Sequence, residues 1–167
     1  HLRKHRIAHA FALMTAAFIF PLIFVGAGVT TKGAGMAFPD WPTSDGAVLN
    51  PTGWLADANK LWEHSHRLIG WTVGMLAIAS AVASWRGGLA VRRLTLVTLG
   101  MIIVQGVLGG LRVTEVSRTL AMLHGIWGQL TFCVAAVAAL LSAPAVAAQP
   151  PVEVPRAKFF QMGGVVA

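Results

Sequence analysis

Residues 7–29 read IAHAFALMTAAFIFPLIFVGAGV, a run without one charged side chain. At 1.5 Å of rise per residue, a helix of about 23 residues outreaches the roughly 30 Å of a bilayer's hydrocarbon core. A secretory signal peptide is the alternative, but its apolar region would be shorter. Pro21 kinks such a helix without forbidding it.

Residues 68–85, 94–111 and 120–142 are likewise free of charge, at about 18, 18 and 23 residues, and each meets the spanning threshold. The fold class expected is all-α, a transmembrane four-helix bundle. Glycines recur inside these runs, as in Gly70-Trp71-Thr72-Val73-Gly74 and Gly106-Val107-Leu108-Gly109-Gly110, at a density that suits close helix approach in a membrane. Residues 1–142 form one unit on this reading. The Ala- and Pro-rich residues 143–155 read as a cytoplasmic linker, and residues 156–167 as the start of a truncated fifth transmembrane helix. With His1 at the front and that apolar opening at the back, the sequence is expected to be a portion of a longer polypeptide.

Composition agrees. Of 167 residues, 56% are hydrophobic and 11% charged, with a mean hydropathy of +0.68, whereas soluble domains carry roughly 25% charged residues. The net charge of +7 sits in short clusters between apolar runs, a pattern of membrane topology and not of phosphate contact, so no nucleic-acid partner is expected. Arg3, Lys4, Arg6, Arg86, Arg92, Arg93, Arg156 and Lys158 fall on one side with a single acid, Glu153. Lys32, Lys60, Arg67, Arg112 and Arg118 on the other side are balanced by Asp40, Asp45, Asp57, Glu63 and Glu115. The amino terminus is therefore expected in the cytoplasm, with residues 30–62 outside and Trp41, Trp54 and Trp62 at the lipid headgroups. Basic short loops suit a bacterial inner (plasma) membrane. Cys133 is the lone cysteine, so the chain has no internal disulfide or thiol pair.

Six histidines are present. His1 and His5 read as solvated, and His9, just inside the first span, as a side chain that snorkels. His66 and His124 lie at similar depth on the second and fourth helices, both of which enter from outside. Two imidazoles facing each other across a bundle can take the two axial positions of one heme iron. Gly70 follows His66 by four and Gly128 follows His124 by four, as HRLIG and HGIWG, and residues four apart share a helix face. A flat macrocycle needs such side-chain-free ground. Helix packing and a simple hydrogen bond are the plainer explanations of these glycines and histidines. His64 points to another side of its helix. Glu63 shares the His66 face and would orient the imidazole, accept a proton, or pair with Arg67. Arg112 and Arg118, on the outer side, would hold propionates or remain solvated.

These residues resemble the amino-terminal half of heme A synthase, roughly over residues 26–141. The likeness rests on Gly26-Ala27-Gly28-Val29-Thr30 leading into Gly35-Met36-Ala37-Phe38-Pro39-Asp40-Trp41-Pro42, and on Glu63-His64-Ser65-His66-Arg67-Leu68-Ile69-Gly70. Gln105-Gly106-Val107-Leu108-Gly109-Gly110-Leu111-Arg112-Val113-Thr114 and the His124 helix complete it. The resemblance implies two fused four-helix halves, each with a histidine pair. It makes His66 and His124 the iron ligands and Glu63 the acidic catalytic residue. Gly70, Gly128, Arg67, Arg112 and Arg118 would bind the heme. The implied enzyme is a membrane oxidoreductase converting heme O, its substrate, to heme A for cytochrome oxidase maturation, with heme b as the other heme it would hold. That reaction oxidises a porphyrin methyl to a formyl group by successive hydroxylation and loss of water. Some members carry a cysteine pair in the first outer loop, and residues 30–62 contain none. Only one four-helix unit is present, so a chain ending here would need a homo-oligomer to recreate the double bundle. No motif names the electron-transfer partner. Two other functions fit the same histidines: a bis-histidine cytochrome b that only passes electrons, and a non-catalytic oxidase assembly subunit.

Overall fold

A computed structural model describes residues 2–147. Four long helices account for most of them: α1 (Leu2–Thr31), α2 (Ala58–Ser84), α3 (Leu89–Thr114) and α4 (Arg118–Ser142), followed by the single turn α5 (Pro144–Ala147). All four are long and apolar enough to cross a membrane. Most of the expected linker and the whole expected fifth span lie outside the described residues; α5 falls at the linker's start.

Helix starts are set by capping. The Asp57 carboxylate accepts from the Asn59 and Lys60 amides, and the Ser117 hydroxyl accepts from Leu120 N–H, so orphan donors of the first turns of α2 and α4 are satisfied. The connections at 85–88 and 115–117 are too short for anything but an antiparallel return. α1 packs on α2 and α4, and α3 on the same two, closing a ring.

The two ends of this ring differ. Toward the end that holds the start of α1, the interior is filled by Ala12, Thr15, Ala77, Ser80, Thr95, Thr98, Ala135 and Ala138, which leave space of only about 10 Å³. Small side chains let the helices approach closely. The threonine hydroxyls are satisfied locally, Thr15 donating to Phe11 O at 2.7 Å, Thr95 to Arg92 O at 3.1 Å and Thr98 to Leu94 O at 2.8 Å. His9 does not snorkel: its Nδ1 lies 3.1 Å from Ala139 O and 3.2 Å from Ser142 Oγ, tying α1 to α4. Toward the opposite end, glycines replace these fillers and the bundle opens. Phe24, Met75, Val82 and Leu140 point outward, where lipid rather than water is the fitting neighbour.

Residues 32–57, between α1 and α2, fold over the open end. Phe38 is wholly buried, with the Arg67 guanidinium 5.4 Å and the Lys60 ammonium 5.1 Å from its ring centre. His64 is the loop's internal anchor. Its Nε2 donates to Leu49 O at 3.1 Å, which leaves Nδ1 to accept from the Ser44 hydroxyl at 3.0 Å. The tryptophans of this region also pack within the chain. Trp54 meets His64 edge-on at 4.8 Å, while Trp41 lies on Gly110 and Trp62 on Gly28, where a Cβ would collide with the indoles.

Candidate functional site

The open end encloses a cavity of about 620 Å³ walled by all four long helices and by Gly35, Trp41 and Pro42 of the loop. That volume is within the range that takes a drug-sized or cofactor-sized molecule. His66 and His124 face each other inside it, with ring centres 6.2 Å apart and planes at 72°. Metal–nitrogen bonds of about 2 Å on opposite sides of one ion would put imidazole centres roughly 6 Å apart. The ring centres are thus spaced as a shared metal would space them, while in this conformation His124 Nε2 lies against the Gln105 amide.

Each ring is set by a glycine on the preceding helix. A Cβ on Gly26 would lie 2.8 Å from His66 Cε1, and one on Gly109 would lie 3.1 Å from His124 Cε1. A second set of glycines has a different cause. Gly70, Gly74, Gly106 and Gly125 all line the cavity, yet a Cβ at any of them meets nothing within 4 Å. Packing within the chain does not demand glycine there, so their bareness serves the cavity. Gly70, named from the sequence, is thus one of the bare positions of the cavity wall. Gly128 also lines the cavity, but its Cβ would press on Gln105 Nε2 at 3.0 Å, so it makes room for that amide.

The His124 Nδ1–H donates to the Gln105 carbonyl at 3.1 Å, because a carbonyl can only accept. This leaves Nε2 with its lone pair, the form that binds metals. The Gln105 side-chain nitrogen sits 3.0 Å from His124 O and 3.3 Å from His124 Nε2. Two buried atoms of the cavity wall, His66 Nδ1 and Gln105 Oε1, have no partner. The sequence reading does not single out Gln105; an amide in the middle of an otherwise apolar span is the signal that could have found it.

Of the three roles open to Glu63, the pairing with Arg67 is formed. Glu63 Oε1 accepts from Arg67 Nη2 at 2.5 Å, and Oε2 from the Ala37 and Phe38 amides at 2.7 and 3.1 Å. It makes no bond to His66. Arg67 lines the cavity and further donates to the carbonyls of Phe38, Asp40 and Thr43, so much of its guanidinium is engaged by the loop. Arg118 is exposed on the first turn of α4 and does not line the cavity. Arg112 does line it, lodged beneath Gly35 where a Cβ would overlap its guanidinium. Among the described residues it forms no side-chain hydrogen bond or ion pair, so the cavity wall carries a cation in want of an anion. No group of three or more His, Cys, Asp or Glu side chains that could hold an ion gathers among the described residues. A two-histidine site of this kind suits a metal whose other ligands arrive with it, as a porphyrin's do.

Residues 9–167 match the model of the cytochrome oxidase assembly protein family. Heme A synthase of Brucella ovis is 31% identical over 97 residues, covering 52% of this chain and 27% of its own. Heme A synthase of Methylobacterium radiotolerans is 25% identical over 135 residues, covering 66% of this chain and 36% of its own. The chain thus spans 27% to 36% of the length of these curated relatives. No solved structure matches it.

Proposed function

The chain belongs to the cytochrome oxidase assembly protein family, and from that premise we propose that it is the heme-handling unit of a heme A synthase. In this reading it binds heme O and oxidises a ring methyl to the formyl group of heme A. The observation that carries the reading is the pair of imidazoles 6.2 Å apart in a cavity floored by glycines. His66 and His124 would hold the iron, and Gly70, Gly74, Gly106 and Gly125 would leave flat ground for the macrocycle. Arg112, the unpaired cation of the wall, receives a propionate. When bound, the iron supplies the redox chemistry of the methyl oxidation. Glu63 has three donors on an ionised carboxylate that can take about four, and the place left over accepts a proton from the cavity. The loop over residues 32–57 keeps bulk water off the site. The basic clusters support a cytoplasmic amino terminus in a bacterial inner membrane.

Expression alongside heme O, followed by pigment extraction and mass measurement, tests this. The wild type should yield heme A and a low-spin bis-imidazole spectrum. His66→Ala and His124→Ala should each lose that spectrum, and Glu63→Gln should keep the heme while heme A formation fails. Because glutamine brings an N–H₂ toward donors, the Gln variant is accompanied by a melting curve. Unaltered heme with reversible redox behaviour would favour the electron-transfer reading, and a colourless protein the assembly subunit.

A further inference from the structure

We infer that His124 is the exchangeable member of the histidine pair and that Gln105 is the residue that holds it when it leaves the iron. The inference rests on the heme reading above. An iron with two imidazoles has no position open for a third ligand, so any chemistry that needs one requires a histidine to let go. The two histidines are not equally placed for that.

His124 has a second seat. Its Nδ1–H is fixed on the Gln105 carbonyl at 3.1 Å, so the lone pair is on Nε2, and the Gln105 amide N–H₂ stands 3.3 Å from that nitrogen. The same amide is anchored on His124 O at 3.0 Å, and Gly128 leaves the space it fills. His66 has nothing comparable: its Nδ1 is buried without a partner, and no side-chain donor reaches its ring among the described residues. With His124 off the iron, its Nε2 lone pair would accept the Gln105 N–H, as it does in this structure, and His66 would be left to hold the heme. The amide stays on the His124 carbonyl in both states, so it is a positioning residue waiting beside the ligand.

Carbon monoxide on the reduced, heme-loaded protein reads this directly, since it binds only when an axial histidine gives way. Gln105→Met keeps the volume and removes the donor. Its affinity for carbon monoxide should fall about five-fold, the worth of one ordinary hydrogen bond, while the low-spin spectrum without carbon monoxide is unchanged. Gly128→Ala, which keeps the Gln105 side chain but pushes its nitrogen aside, should lower the affinity in the same direction, and it decides the matter should the Met variant fail to fold. Low-spin heme with wild-type carbon monoxide affinity in the folded variants would overturn the role of Gln105 alone. Absence of a bis-imidazole spectrum in the wild type would instead overturn the heme reading beneath it.

Discussion

The bundle is made of two helix hairpins, α1–α2 and α3–α4, that solve the same problem with different means. Each brings a histidine on its second helix against a glycine on its first, Gly26 under His66 and Gly109 under His124, at distances that differ by a few tenths of an ångström. Yet residues 32–57 join the first pair, whereas three residues, 115–117, join the second. Ring placement is therefore fixed by close helix approach, which glycine permits, and owes nothing to the length of the connection. What the long connection adds is a cover, and Arg67, Glu63 and His64 all bond to it.

The largest effect should come from removing the tie that only the first hairpin has. Arg67 and Glu63 are an almost fully buried ion pair, with side chains 9% and 5% exposed. Arg67→Met strands the carboxylate and frees three loop carbonyls, a loss of about 3–5 kcal/mol for a broken buried pair. Proteolysis in detergent should then cut residues 36–56 rapidly while the α3–α4 hairpin stays resistant. If both hairpins open together, the separation drawn between them is wrong.

A smaller effect should sharpen the likeness. Gly26→Ala places a methyl 2.8 Å from the His66 ring, closer than real contacts allow, while Gly109→Ala places one 3.1 Å from the His124 ring, where a slight shift suffices. Overpacking of this kind costs about 1–3 kcal/mol. Heme titration should therefore show roughly ten-fold weaker binding in the first variant and only a few-fold loss in the second. Equal losses would mean that the two rings are held equally tightly.

The same contrast explains what could be read from the sequence. Charge-free runs locate all four spans because the bilayer allows little else. They start α2 ten residues late, since Asn59, Lys60, Glu63, His64 and Arg67 make its first turns look like loop. Lys60, Glu63, His64 and Arg67 face residues 32–57 rather than lipid, and only the Asp57 cap betrays the true start. The facing histidines were legible because helical spacing fixes their side and depth. The partners of Glu63, Arg67 and His64 were not, because they come from an irregular loop whose path follows from tertiary contacts. Gln105 escaped for a different reason: its use depends on meeting His124 across a helix pair, which no single-helix pattern encodes.

The smallest effect separates the hairpins by acid. Burial works to raise the Asp40 carboxyl, but the Gly46 amide, the Thr43 hydroxyl and the Asp45 amide outweigh it and lower its pKa from 3.8 to about 2. A depressed carboxylate stabilises the fold wherever it is ionised in both states, so its contribution is complete above about pH 4 and disappears as the pH falls toward 2. The cap at the start of α4 is instead the Ser117 hydroxyl, which does not titrate in this range, and the Glu115 side chain in that turn makes no hydrogen bond or ion pair among the described residues. Hydrogen exchange between pH 5 and pH 2.5, corrected for its intrinsic pH dependence, should therefore lose protection at residues 40–47 while the α3–α4 turn is unchanged. Asp40→Asn should show the looser loop already at pH 5 and little further change on acidification. Retention of the wild-type acid response in that variant would move the cause to another carboxylate of the loop, with Asp45, paired to Lys60 at 2.6 Å, next in line.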